Sequence, residues 1–416
     1  MIRFDRFTLD NGLQVIVHQD KATSIVAFDV LYKVGSRNEN PERTGFAHLF
    51  EHLMFEGSKN IKDYDYQLQL AGGENNAFTN TDFTNYYITL PKQNLETAFW
   101  LESDRMLELD FSEEKLNIQK NVVIEEFNQR YLNKPYGDWM LKMRSLAYRK
   151  HPYMWPTIGK DPQEIEYASL QEVKDFFYNY YAPNNAILVV AGDVETEQIK
   201  RLAEKWFGPI PKRDIHKHII PQEPKQVAPQ LLMMKRNEPH NAIFKAYHMG
   251  GRLDKTYHTA DLISDILAGG ESSRLYQHLV KEQKTFTSIN AYITGETDPG
   301  LFFVEGKLND GVTFKQADEC ISNELKILWD NQISESELTK VKNNIEVKKI
   351  VSEVNILNKA MTLARFEMLG DANMTNTDID NYQKVSLSDI ANVASEMFVP
   401  GNCSTLLYKS AQNGKI

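Results

Sequence analysis

Gly45-Phe46-Ala47-His48-Leu49-Phe50-Glu51-His52-Leu53-Met54-Phe55-Glu56-Gly57 is bounded by glycines and reads as a short amphipathic helix. Wound at about 100° per residue, Phe46, Leu49, Phe50, Leu53 and Met54 fall on one side, while His48, Glu51 and His52 share an arc of about 100° on the other. The first side is made to pack. The second carries two imidazoles at i and i+4, the separation at which one helix can offer two ligands to a tetrahedral zinc. Glu51, directly before His52, can reach a water on the metal rather than the metal itself. On that reading zinc lowers the water's pKa and Glu51 takes its proton as it attacks a peptide carbonyl. A helix with an ordinary solvated face would show the same alternation of polar and apolar residues.

Outward from this helix, the chain reads as alternating strands and helices. Upstream, Asn11-Gly12 between two apolar runs signals a hairpin, and Ser24 to Lys33 alternates like a strand. Downstream come a helix from Ile61 to Leu70, strands Asn75 to Asp82 and Phe83 to Leu90, and helices Leu95 to Met106 and Ser112 to Tyr131. A helix from Leu170 to Tyr180, a buried strand from Ala186 to Ala191 and a helix from Glu195 to Phe207 close the first half. The second half repeats it. Tyr32-Lys33-Val34-Gly35-Ser36-Arg37 answers to Tyr247-His248-Met249-Gly250-Gly251-Arg252, and Ala47 to Leu53 lies over Ala260 to Ile266. Pro183-Asn184-Asn185 lies over Pro400-Gly401-Asn402, so both ends of the halves share an offset of about 215 residues. The expected fold is therefore α+β: two duplicated α+β domains of about 200 residues, 1–208 and 230–416, joined by a Pro-rich linker at 209–229. In the second, His48, Glu51 and His52 become Asp261, Ser264 and Asp265, so only the first can hold the metal.

Composition narrows the function. Hydrophobic content of 42% and charge of 25% describe a globular protein, and a formal net charge of −10 argues against a nucleic-acid partner. No apolar run is long enough for a signal sequence or a membrane span, so no membrane partner and a cytoplasmic location are expected, a trimmed leader aside. Cys320 and Cys403 are far apart and lack a neighbouring Cys or His at ligand spacing, which suits two buried free thiols.

Two histidines need a third protein ligand. The helix from Ser112 to Tyr131 offers Glu125 and Glu126. Its apolar stripe is Leu116, Val123, Ile124, Phe127 and Tyr131; Glu126 borders that stripe and Glu125 points nearly opposite, so Glu126 is the better candidate.

His48-Leu49-Phe50-Glu51-His52 has the H-x-x-E-H signature of the inverzincins. Together with Val122-Val123 ahead of Glu126, Gly72-Gly73, Asn76-Ala77-Phe78-Thr79 with Asp82, Tyr181-Ala182-Pro183-Asn184-Asn185 and Gly269-Gly270-Glu271-Ser272-Ser273-Arg274-Leu275, it resembles the pitrilysin family of zinc metallopeptidases. That family includes insulin-degrading enzyme and the mitochondrial processing peptidase. The resemblance implies one Zn2+ per chain on His48, His52 and Glu126, with Glu51 as the base. It also implies that Asn76, Ala77, Phe78 and Thr79 offer backbone groups to an extended peptide substrate. Short members pair two chains into a clamshell around a chamber, as a homodimer or as a heterodimer.

Two departures from the family pattern stand out. Gln119 occupies a position where the family often has a glutamate, and Val280 and Thr287 align with an Arg and a Tyr that face the zinc across the chamber. The expectation is a zinc-dependent endopeptidase whose site is completed by a metal-free homologue supplying Arg and Tyr. A homodimer using Arg274 or Tyr292 is the competing arrangement. A noncatalytic peptide-binding or assembly subunit is the alternative from another class, and a structural zinc site is disfavoured by the absence of nearby cysteine.

Overall fold

Strands β1 (Asp5–Thr8) and β2 (Gln14–Gln19) form the hairpin expected at Asn11-Gly12, pairing from Asp5 with Val17 to Thr8 with Gln14. The computed structural model describes residues 1–216, 219–330 and 332–411. Lys217 and His218 of the expected linker, and Asn331 and 412–416 of the expected second domain, lie outside the described residues.

With β3 (Ile25–Tyr32), β4 (Glu74–Thr79), β5 (Thr84–Pro91) and β6 (Ala186–Gly192), the first sheet has the order β1-β2-β6-β3-β5-β4. Strand β6 is buried at all seven positions, as an apolar run in mid-sheet must be. It runs parallel to β2 and antiparallel to β3. Among the described residues strand β4 pairs only with β5 and so forms the sheet's edge.

The second sheet contains β7 (Gln230–Arg236), β8 (Ala242–His248), β9 (Phe286–Ile293), β10 (Leu301–Leu308) and β11 (Cys403–Ser410) in the order β7-β11-β8-β10-β9. Strand for strand this is β2-β6-β3-β5-β4, with the same one parallel and three antiparallel pairings. The helix after β3, Phe46–Leu53, has its counterpart after β8 in Tyr257–Ala268. The fold is a duplicated α+β unit.

The compact units are not continuous in sequence. One comprises Met1–Asn128, Trp155–Ile220 and Lys349–Thr377, the other Gln129–Met154, Pro221–Lys348 and Asp378–Ile416. The ranges 1–208 and 230–416 therefore each lend a helical segment to the opposite unit. In the first unit, helix Ile356–Met368 places Ala360, Leu363 and Ala364 against Ala27, Leu31, Ile187 and Val189 of the sheet. In the second, helix Trp139–Ala147 covers β8, β10 and β11, and Trp139 stacks on Phe244 at 4.7 Å.

Between 211 and 229 the described residues form no helix or strand, but they are anchored. Arg213 donates to Tyr181 O and Leu107 O, and the Glu223 carboxylate accepts the amides of Arg149, Lys150 and His151. Of the two thiols, both free, Cys403 is buried as expected; Cys320 is only half covered.

Candidate active site

All five apolar residues assigned to the packing side of helix Phe46–Leu53 and its C-cap are buried. Phe50 stacks on Phe176 and on Tyr181, each at 5.1 Å, and its carbonyl accepts the Tyr86 hydroxyl at 3.2 Å. These contacts fix the rotation of the helix, and thereby the direction of its opposite face. The second contributing helix, Glu113–Phe127, begins at Ser112, whose side chain accepts the Lys115 amide as expected of a cap. It stops at Phe127, short of Tyr131, and passes into a π-helical turn at Asn128–Leu132.

His48, His52 and Glu126 converge, with one ligand atom from each lying within 4.8 Å of the others. Glu126 Oε2 is 3.6 Å from His48 Nε2 and 3.5 Å from His52 Nε2. A tetrahedral zinc with bonds of about 2.1 Å sets its donors about 3.4 Å apart, so the two distances from Glu126 to the imidazoles suit such an ion. The donor set, two imidazoles and one carboxylate, is that of catalytic rather than structural zinc sites. Glu125 is exposed on the far side of its helix, as the wheel predicts.

Glu51 stands apart from this set, toward Thr79 at the end of β4. Burial raises its carboxyl above the ordinary range, against the pull of Thr79 and His52. The helix packs on β4, so the strand at the open edge of the sheet runs directly to the acid. Along that strand Asn76 and Phe78 are exposed and Ala77 and Thr79 half-buried, with the Ala77 amide donating to Asn76 Oδ1 at 2.8 Å.

Of the departures, Gln119 Nε2 donates to Glu56, just beyond the histidine helix, and so still ties the two helices together. Val280 packs on the core of its own unit, and the exposed Thr287 donates to Lys307 O at 3.2 Å. Arg274 is engaged with Glu337 at 2.8 and 3.0 Å, and Tyr292 lies against Phe303. Sequence reading passed over Glu39 and Trp155, which meet at the start of the histidine helix. The available signal was a helix opening on a glycine, with no capping side chain of its own.

At the equivalent place in the second unit, hydrogen bonds replace a ligand set. Tyr382 donates to Asp261 at 2.6 Å, and Asp378 Oδ1 binds Arg252 Nη2 at 2.7 Å and His258 Nε2 at 2.9 Å. Burial alone would raise the Asp378 carboxyl, but His258 and Arg252 outweigh it and hold it at about 2. A carboxylate depressed on folding contributes stability that is complete above its unfolded value, near 3.8, and is lost as the pH falls toward 2. Asp378→Asn is therefore expected to lower stability at pH 7 by on the order of 1 kcal/mol, after allowance for screening. Urea unfolding should show the gap from wild type narrowing below about pH 4; equal midpoints at pH 7 would contradict it.

Among the described residues no helix is long and apolar enough to cross a membrane. The sequence model of the insulinase family (peptidase family M16) matches residues 14–160, and that of the peptidase M16 inactive domain matches residues 167–345. The zinc protease PqqE of Helicobacter pylori is 29% identical over 98% of this chain and 93% of that protein. The crystal structure of a protease from Helicobacter pylori superposes with a TM-score of 0.92 at 29% identity, covering 98% of this chain and 100% of that one. The periplasmic protease PqqL from Escherichia coli shares the fold, with a TM-score of 0.81 at 17% identity; 99% of this chain covers 48% of that longer one. Matched in both halves by the models of one peptidase family, and nearly end to end by a zinc protease, the chain belongs to the pitrilysin, or M16, family of peptidases.

Proposed function

We propose that this chain is a zinc-dependent endopeptidase with one zinc, held by His48, His52 and Glu126, acting on peptides or unfolded polypeptides enclosed between two family chains. The convergence of those three donors from two helices, with Glu51 beside them but outside the set, is the observation that carries the reading. Zinc, when bound, supplies a Lewis acid that polarises the scissile carbonyl and makes water a nucleophile near neutral pH. Glu51 takes the proton of the attacking water and returns it to the leaving amine. Asn76 to Thr79 present the open edge of β4 to an extended substrate, which joins the sheet and is read through its main chain. A peptide laid along β4 thus reaches the proton-handling acid at Thr79.

The equal strand orders support reading 1–208 as the metal-binding repeat and 230–416 as its metal-free counterpart, with 209–229 between them. Val280 and Thr287 leave this chain without an Arg and a Tyr at the aligned positions, which favours a partner that supplies them. We place the protein in the cytoplasm, with no membrane or nucleic-acid partner.

The test is zinc content, native mass and cleavage of a quenched peptide by the purified chain, alone and with a metal-free homologue. Bound zinc, a dimeric mass and activity that rises sharply with the homologue are expected. Full activity from the lone chain would remove the heterodimer. Protein purified without chelator and free of zinc would remove the enzyme and leave a noncatalytic subunit.

A further inference from the structure

We propose that Glu39 is a positioning residue of the zinc site, its buried carboxyl group holding the first turn of the histidine helix in register with the turn that ends strand β4. The proposal rests on the zinc-peptidase reading above and names what keeps that site's two working parts in place.

The first-turn N–H groups of a helix have no acceptor within the helix. Helix Phe46–Leu53 opens on Gly45, which has a φ of 91° and no side chain with which to cap. A Cβ there would lie 2.7 Å from Ile158 O, so a serine or aspartate cap is excluded by space as well as by backbone. Glu39 supplies the acceptors from outside: Oε2 takes the Gly45 amide at 2.9 Å and Oε1 takes the Ala47 amide, next to His48, at 2.8 Å. The Trp155 indole donates to the same Oε2 at 3.1 Å and to Ser36 O at 3.0 Å. Glu39 is 6% exposed. Burial pushes the Glu39 carboxyl up to about 8 against the pull of the Ala47, Gly45 and Trp155 donors; its two oxygens, set at the positive end of a helix dipole, take all three. Glutamine would turn its own N–H2 toward an N–H, and aspartate is one methylene too short to keep both amides.

The other end of the same short segment grips the substrate strand. Ser36 and Arg37 donate their amides to Asn80 O and Thr81 O, and the Arg37 guanidinium meets Asp82 at 3.0 Å. Gly35 permits this approach: a Cβ on it would lie 2.6 Å from atoms of Asn80, Thr81 and Asp82. Residues 35–39 are thus a strut. One end carries the turn after Thr79, the other the turn that aims His48, and the Trp155 indole braces the middle.

The test uses the full chain, with its partner if activity requires one. Zinc affinity is measured by chelator competition, Co(II) is substituted for its visible absorption, and kcat and KM are taken at saturating zinc for Glu39→Gln and Trp155→Phe. Losing a group that orients a ligand costs about tenfold or more in metal affinity. Glu39→Gln should therefore bind zinc about tenfold more weakly, alter the Co(II) spectrum, and lower kcat by a similar factor with KM little changed. Trp155→Phe, which removes the brace but keeps the carboxyl group, should move the same readouts in the same direction by less, and decides the matter if Glu39→Gln does not fold. Folded variants with wild-type affinity, spectrum and kcat would overturn the strut, as would an unchanged Trp155→Phe beside a Glu39→Gln that fails to fold. Absence of zinc from the wild type would remove the zinc-peptidase reading itself, and the strut's role with it, a result distinguishable from normal zinc binding by the variants.

Discussion

Glu51→Gln is expected to bind zinc as tightly as the wild type while cleaving a quenched peptide at least about a hundredfold more slowly, the usual worth of a positioned acid or base. The amide is nearly isosteric with the carboxylate but accepts no proton at neutral pH. Glu51 lies toward Thr79, outside the trio of donors, so the substitution leaves the metal's attachment untouched. Zinc content by atomic absorption and single-turnover cleavage on the same sample separate the two effects. An unchanged rate would show that Glu51 has another task; lost zinc would make it a ligand.

Glu126→Ala should do the reverse. It removes one of three donors, and because disturbing an outer partner of a ligand already costs 10- to 100-fold, zinc affinity should fall by more than about a hundredfold and activity with it. The Glu126 side chain is 21% exposed on a helix whose apolar contacts come from Leu116, Val123 and Phe127, so the fold should survive. Glu125→Ala is the control, since that side chain is exposed on the opposite face and its loss should leave zinc binding intact. Isothermal titration of the metal-stripped proteins compares them directly; equal affinities for Glu126→Ala and wild type would take Glu126 out of the site.

Much of this site could be read from periodicity. A 3.6-residue repeat put Phe46, Leu49, Phe50, Leu53 and Met54 inside and the two imidazoles together, and the same wheel preferred Glu126 to Glu125. The hairpin at Asn11-Gly12 and the buried strand at Ala186 rest on equally local signals, and the repeat in the second half on short motifs matched about 215 residues apart. Element ends were less legible, because they depend on which group accepts a freed amide. The helix expected from Ile61 starts at Tyr64, where the Asp63 carboxylate takes the Tyr66 amide. Strand β4 ends at Thr79 rather than Asp82, because Asn80 to Asp82 turn to meet Ser36 and Arg37. Glu39 was missed because nothing in its own neighbourhood distinguishes it: its partners at Gly45, Ala47 and Trp155 are assembled only by the fold. The exchange of Gln129–Met154 and Lys349–Thr377 between units left no mark either, since an amphipathic helix carries the same pattern whichever sheet it covers.

That exchange also sets the order of events on the ribosome. The sheet bearing the histidine helix is complete in strands once β6 has emerged, yet the face made by Ala27, Leu31, Ile187 and Val189 awaits helix Ile356–Met368, which is translated far later. Until then the nascent first unit carries an uncovered apolar surface, a state prone to aggregate. A gene cut at the apparent midpoint would leave that surface bare, and would equally take helix Trp139–Ala147 away from the second sheet.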